Sequence, residues 1–233
     1  MELPVLTEPP PGSKIMVLLI IALLIEKEVE QLAVKNHALD DRIVEAAREE
    51  FLAHGFRGAS LHKIAARAEL TTGALYTRYK SKDDLFCSLV QNVLEQAKKV
   101  TAPMAEAYRQ AQSSGRPEDI LQVIRREEEV YRELLFRDTE GCILFFCRSE
   151  GSSIGELLKN MMEQKSAETV EYLRSIAKRD VDLDGVGMLM SGQFDYFRQI
   201  LERGYSREKA LSCMKTVELY MDAGWKAIFE AIL

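Results

Sequence analysis

Four of the six prolines fall within the first eleven residues (Pro4, Pro9, Pro10 and Pro11), so only Pro103 and Pro117 interrupt the rest of the 233-residue chain. Proline removes a backbone donor and its ring collides with the preceding turn, which makes it the strongest local obstacle to a helix. Its scarcity, with only 13 glycines, leaves helices free to form nearly everywhere beyond residue 12. An all-α fold is expected. The length suits one or two domains with a substantial core. With 47% of residues hydrophobic and 29% charged, the composition is that of an ordinary globular protein.

Cys87, Cys142, Cys147 and Cys213 form no CxxC pair and have no metal-ligand spacing with the three histidines. They read as reduced, buried thiols, with no metal and no cofactor expected. The absence of an Asn-x-Ser/Thr sequon agrees with an intracellular chain, and the cytoplasm is the working expectation.

Residues 1–38 read as an amino-terminal extension of uncertain role. Ile15 to Ile25 is an uninterrupted apolar run. As a helix it would be about 16 Å long against a hydrocarbon core of about 30 Å, too short to span a bilayer. Acids on both sides make a poor signal peptide. A helix docked on the body or a partner, a membrane-surface hook and an extension from an upstream start codon all remain open. Stable membrane insertion is not expected.

From Asp41 the pattern changes to short helices with strong punctuation. Ile43, Val44, Ala47 and Phe51 form one stripe that stops at Gly55, with Phe56 placed to make the apolar contact that follows a glycine stop. Ser60 is suited to cap a second helix carrying Leu61, Ile64, Ala65 and Ala68. Thr71 is suited to cap a third, in which Leu75 and Tyr79 face inward while Thr72, Gly73, Tyr76, Thr77, Arg78 and Lys80 occupy other faces. Two short helices joined by a tight turn read as a helix-turn-helix.

Charge points the same way. Residues 57–82 hold Arg57, Lys63, Arg67, Arg78, Lys80 and Lys82 against Glu69 alone, a local +5 in a chain whose total is −6. A compact basic segment on an acidic body is the footprint of a local anion site, for which DNA is the usual ligand and a merely solvated face the bland alternative. A helix fits the major groove, and small polar side chains at its start can reach base edges while flanking groups hold phosphates. Thr72 and Thr77 are thereby candidates for base reading. Arg78, Lys82 and the Tyr76 hydroxyl are candidates for phosphate contacts.

The run from Ile43 to Phe86, containing AAREEFLAHGFRGASLHKIAARAELTTGALYTRYKSKDDLF, resembles the amino-terminal domain of the tetracycline-repressor (TetR) family. The most specific elements are Gly55-Phe56, Ser60 before Ile64-Ala65, Leu75-Tyr76, and Ser81-Lys82 followed by an acid. The resemblance implies a ligand-responsive transcriptional regulator, usually a repressor, acting as an all-helical dimer on an operator in double-stranded DNA. By position, Ser60, Tyr76, Arg78 and Lys82 match the family's backbone-contacting set, and His62, Thr72, Gly73 and Thr77 its groove-facing set. Glu69 departs from the pattern, since the family usually has glycine in that turn, and Tyr79 replaces the commoner phenylalanine.

In the body, Ser81-Lys82-Asp83-Asp84 resembles a capping box that starts a long helix through Leu85, Leu89, Val93 and Ala97, which Pro103 is expected to kink or end. The clearest loop spans Ser113 to Pro117, and helical patterns resume at Glu118 and after Gly151-Ser152-Ser153. Near the end, Val186, Met190, Phe194, Phe197 and Leu201 form one stripe. Ala210, Met214, Val217, Met221, Gly224 and Ile228 form a heptad seam. These two helices are expected to pair with a symmetry mate in a homodimer through Met190, Phe197, Leu201, Met214, Val217, Met221, Gly224 and Ile228, or alternatively to close the monomer core. Aromatic and methionine side chains, among them Tyr131, Phe145, Phe146, Met162, Tyr172, Met188 and Phe194, are candidates to line a pocket for a small, largely apolar effector.

An enzyme is not expected. The sequence lacks a nucleophile elbow, a phosphate loop and a zincin motif, and His37, His54 and His62 all lie before the body. The sequence divides into the 1–38 extension, a helix-turn-helix DNA-binding domain over 39–86, and a helical effector-binding and dimerisation domain over 87–233. The competing reading is a helical ligand-binding or adaptor dimer that no longer reads DNA specifically.

Overall fold

The computed structural model describes residues 41–114, 135–179 and 181–232, and every regular element among them is helical. The apolar run 15–25, the expected helix from Glu118 and Tyr131 lie outside the described residues. Eight helices follow in order: α1 (Asp41–Gly58), α2 (Leu61–Arg67), α3 (Thr72–Arg78), α4 (Lys82–Ser114), α5 (Thr139–Cys147), α6 (Ser153–Ile176), α7 (Asp184–Glu202) and α8 (Arg207–Ile232).

Local capping chemistry sets most of the helix starts. The Thr71 hydroxyl accepts the Ala74 N–H at 3.1 Å and the Ser152 hydroxyl accepts the Gly155 N–H at 3.1 Å. Ser81 accepts from Asp84 N–H at 3.0 Å, while the Asp84 carboxylate accepts the Lys80 N–H at 2.9 Å, a reciprocal arrangement that begins α4. Each side-chain oxygen satisfies one of the amide donors that a helix leaves unpaired at its start.

The apolar stripe of α1 ends where glycine permits it. Gly55 takes φ 66°, ψ 172°, outside helical geometry, and the chain turns there although one further turn follows to Gly58. A side chain would be strained at that φ. The turn brings Phe56 back onto α1, stacked with Phe51 at 6.1 Å and edge-on to Phe86 of α4 at 5.4 Å, and Phe86 meets Phe51 edge-on at 5.0 Å. Edge-to-face ring pairs add to the burial energy. These rings anchor a core that runs without a break from Ile43 in α1 through Leu144 and Phe145 of α5 to Trp225 and Ile232 of α8. A second, smaller cluster joins Val93, Leu135, Cys142 and Leu201, with Phe146 and Met214 packed against it.

Pro103, expected to kink or end α4, does not end it, since the helix continues to Ser114. One missing backbone bond is a small fraction of those that a helix of 33 residues retains. Two features differ from the sequence-based expectations. Met190 and Leu201, expected at a dimer seam, are buried within the chain itself, and Met214, Val217, Met221 and Ile228 are partly buried there too. Of the expected seam residues whose side chains are described, Gly224 alone is exposed. The period of a stripe identifies which residues share a face but not what covers it, and here the chain's own core covers Met190 and Leu201. Met188, expected to line a pocket, is 76% exposed because it lies on the far side of α7 from Val186 and Met190.

The turn between α2 and α3 places Glu69 at φ 58°, the left-handed region. A side chain with a Cβ is disfavoured there by about 1 kcal/mol or more. Its ion pair with Arg42, at 3.5 Å between two exposed side chains, recovers little of that. Glu69→Gly is therefore expected to raise stability by about 0.5–1 kcal/mol in chemical denaturation. A lower midpoint for the glycine variant would show the turn to be unstrained.

Candidate nucleic-acid interface

The helix-turn-helix is held by one buried acid. Glu50 lies on the inner face of α1 with 3% of its surface exposed, and its carboxylate accepts the Ser60 N–H at 3.1 Å. His54 approaches the other carboxylate oxygen at 3.8 Å. A buried carboxylate needs such partners to offset its desolvation. Here the bond fixes where α2 begins relative to α1. Glu50 was not singled out from the sequence, yet its position at i+3 from Ala47 and i+7 from Ile43 puts it on the apolar stripe, and a charge on a buried stripe is the signal that could have found it.

With α1 behind them, α2 and α3 bury Ile64, Ala65, Ala68 and Leu75, with Tyr79 buried just beyond, and turn their polar side chains outward. His62 on α2 and Gly73 and Thr77 on α3 are exposed, Thr72 is partly exposed, and Tyr76 presents 52% of its surface. The Thr77 hydroxyl donates to the Ala74 carbonyl at 2.7 Å, which uses its proton and leaves its oxygen able to accept. Ser60 is the N-cap of α2, with its hydroxyl 3.5 Å from the Lys63 N–H. Arg78 closes α3 and is partly exposed.

Lys82 is differently placed from a solvent-facing cation. Its Nζ donates to the Arg57 carbonyl at 3.2 Å and lies 5.0 Å from the centre of the Phe56 ring. Partial burial lowers its pKa, a shift that nearby Glu50 opposes. The ammonium thus serves first to close the end of α1, with further donor directions remaining. Two other cations of the basic segment are already paired. Arg57 meets Glu150 at 2.8 Å, and Arg67 is bonded to Glu49. The field presented outward is therefore weaker than the raw count of charges.

Burial pushes the Cys87 thiol up to about 11 and the Cys142 and Cys147 thiols up to about 12, with nearby acids adding to each, so all three stay protonated and poorly nucleophilic at neutral pH. No group of three or more His, Cys, Asp or Glu side chains among the described residues could hold a metal ion. No described helix is long and apolar enough to cross a membrane.

Of the residues expected to line an effector pocket, Phe145 is buried edge-on to Phe146 at 4.8 Å, and Met162 is partly exposed on α6. Tyr172 lies in α6, and Phe194 and Phe197 in α7, with side chains outside the described set.

Residues 43–89 match the family model described as "Bacterial regulatory proteins, tetR family". Over 50 residues, 22% of this chain, the sequence is 42% identical to an HTH-type transcriptional repressor of Streptomyces coelicolor. That match spans about a quarter (26%) of the relative's own length. Among solved structures, the chain is similar to the fatty acid degradation regulator FadR of Bacillus halodurans, at 20% identity and a TM-score of 0.41, over 85% of this chain and 96% of the other. The similarity to the tetR family of bacterial regulatory proteins thus covers residues 43–89, the part of the chain that holds the three amino-terminal helices and the start of α4.

Proposed function

We propose that the chain is a DNA-binding transcriptional regulator, a repressor that α2 and α3 seat in the major groove of an operator and that a small, largely apolar effector releases. Residues 39–86 form the DNA-binding unit in this reading and 87–233 the effector-binding and dimerising body, the whole working in the cytoplasm without catalysis. His62, Thr72, Gly73 and Thr77 face base edges, and Ser60, Tyr76, Arg78 and Lys82 hold the phosphate backbone.

The observation that carries this reading is Gly73. It sits in the first turn of α3 with no positive φ, and a Cβ built there would meet only the Thr71 hydroxyl oxygen at 3.9 Å. Neither backbone geometry nor packing within the chain calls for glycine, which costs a helix about 0.5–1 kcal/mol relative to alanine. A surface that must come close to another molecule's backbone accounts for that cost. Tyr76, large, amphipathic and more than half exposed on the same helix, is similarly unexplained by the chain's own packing.

For the body we propose a homodimer built on the outer face of α7 and α8 in place of the seam turned inward. Leu189, Gly192 and Tyr196 recur at i, i+3 and i+7 on α7 and are exposed. Tyr220, Ala223, Gly224 and Ala227 do the same on α8, with exposed Leu219 beside them. Small residues among large apolar ones allow two helices to approach closely. An effector site among the aromatic and methionine side chains of the body, Phe145, Phe146 and Met162 included, accords with the adaptable apolar lining such a ligand needs.

Two variants test the DNA reading. Gly73→Ala is expected to raise stability by about 0.5–1 kcal/mol while weakening binding to a duplex that the full chain selects from a random pool. Stability and affinity rising together would place the DNA elsewhere. In fluorescence anisotropy on the same duplex, Arg78→Ala is expected to weaken binding across sequences and reduce the salt slope by about 1, as removal of one phosphate contact should. Equal, weak binding of every duplex by the wild-type chain would favour the adaptor reading.

A further inference from the structure

The glycine stop at Gly55 leaves the end of α1 with backbone groups that the amino-terminal unit does not itself satisfy, and one residue of the body satisfies two of them. Arg148, the C-cap of α5, accepts the Phe56 N–H on its own carbonyl at 2.7 Å. Its Nε donates to the Leu52 carbonyl at 2.9 Å. The guanidinium continues outward: Nη1 donates to the Cys147 carbonyl at 3.1 Å and to the Glu202 carboxylate at 2.8 Å. Glu202 is the last residue of α7, immediately before the turn into α8. One side chain thus spans the first helix of the DNA-binding unit, the helix behind it and the end of the helix pair that carries the exposed apolar face.

A planar guanidinium is suited to this work because its donors are fixed in one fork, so the direction of one bond dictates the direction of the next. A second tie joins the same two parts. Asp83, in the first turn of α4, accepts both the backbone N–H of Ser153 at 2.8 Å and its hydroxyl at 2.7 Å. Besides the continuous core and the Arg57–Glu150 pair, the amino-terminal unit is therefore tied to the body by directional bonds at Arg148, against the end of α1, and at Asp83, at the start of α4. Directional bonds at both places restrict rotation.

We propose that Arg148, braced by Glu202, is a positioning residue that fixes the angle between the DNA-binding unit and the dimer-forming helices α7 and α8, and so sets which half-site spacing the dimer accepts. This rests on the DNA-binding and dimer readings above. Moving one half-site by a single base pair displaces it about 3.4 Å along the duplex and about 35° around it. A rigidly held pair of units cannot follow both changes, whereas units on a loosened joint can. Discrimination between spacings then reports the stiffness of the joint, separately from the contacts each unit makes with its half-site.

The experiment uses the full chain and a two-half-site duplex selected by it from a random pool, together with the same duplex lengthened or shortened by one base pair between the half-sites. The wild-type chain is expected to prefer the selected spacing by about tenfold or more. Arg148→Gln is expected to cut that preference to about twofold or less, with dimer mass unchanged by light scattering. Glu202→Leu, on a partly exposed side chain, is expected to reduce it as well, whereas Glu202→Gln, which keeps an acceptor oxygen, retains it. Should Arg148→Gln fail to fold, the contrast between Glu202→Leu and Glu202→Gln decides. Wild-type spacing preference in Arg148→Gln, or identical behaviour of the two Glu202 variants, overturns the proposal. A selection that enriches no duplex overturns the DNA-binding reading and this one with it. A wild-type chain that binds tightly but tolerates every spacing overturns this one alone.

Discussion

The break in α1 at Gly55 is the constraint on which the other parts depend. A continuous helix would carry Phe56 away from Phe51 and Phe86, would keep the Leu52 carbonyl and Phe56 N–H within its own ladder, and would send the chain past the point where α2 must begin. With φ at 66° the chain instead turns, and three aromatic rings close over the turn. The backbone groups it releases are taken up by Arg148. Burial of the rings supplies the energy, and the hydrogen bonds supply direction, since unpaired amides in a partly buried joint would cost about 1–3 kcal/mol each.

From that joint, polar bonds of long sequence separation organise an otherwise apolar assembly. Glu50 orients α2, Asp83 orients the start of α6, and Arg148 orients α1 against α5 and α7. The bonds of Glu50, of Asp83 and of the Arg148 Nε lie in partly buried surroundings, where a directional bond is strong and its loss expensive, whereas the Arg148–Glu202 bond is exposed. The continuous core alone would tolerate sliding between helices, because apolar contact is not directional. The fixed bonds convert a packed bundle into one with defined angles between its helices.

Local features were legible in the sequence because their physics is local. The caps at Ser60, Thr71 and Ser81 act within three residues, the stop at Gly55 follows from one residue's freedom, and the inward pair Leu75 and Tyr79 follows from helical spacing. The left-handed turn at Glu69 was visible as a departure from the family pattern. Bonds between distant residues were not legible: Arg148 reaches a carbonyl 96 positions away, and no periodicity encodes such a pairing. The stripes on α7 and α8 were real, but a stripe is covered equally well by a neighbour in the same chain, and Met190 and Leu201 are covered that way. Charge counting overstated the basic face, since Arg57 and Arg67 have acidic partners that only the folded chain brings near. Of the two effects expected of Pro103, a kink or an end, the end is excluded, because the helix continues past it to Ser114.

The central claim is that the outer surface of α2 and α3 is where this chain meets DNA. Amide hydrogen exchange of the full chain, alone and saturated with its selected duplex, tests it most directly. Slowed exchange concentrated in residues 60–82, with the outer face of α7 and α8 unchanged, is the expected result. Protection confined to the body, or none in residues 60–82 under saturating duplex, would contradict it.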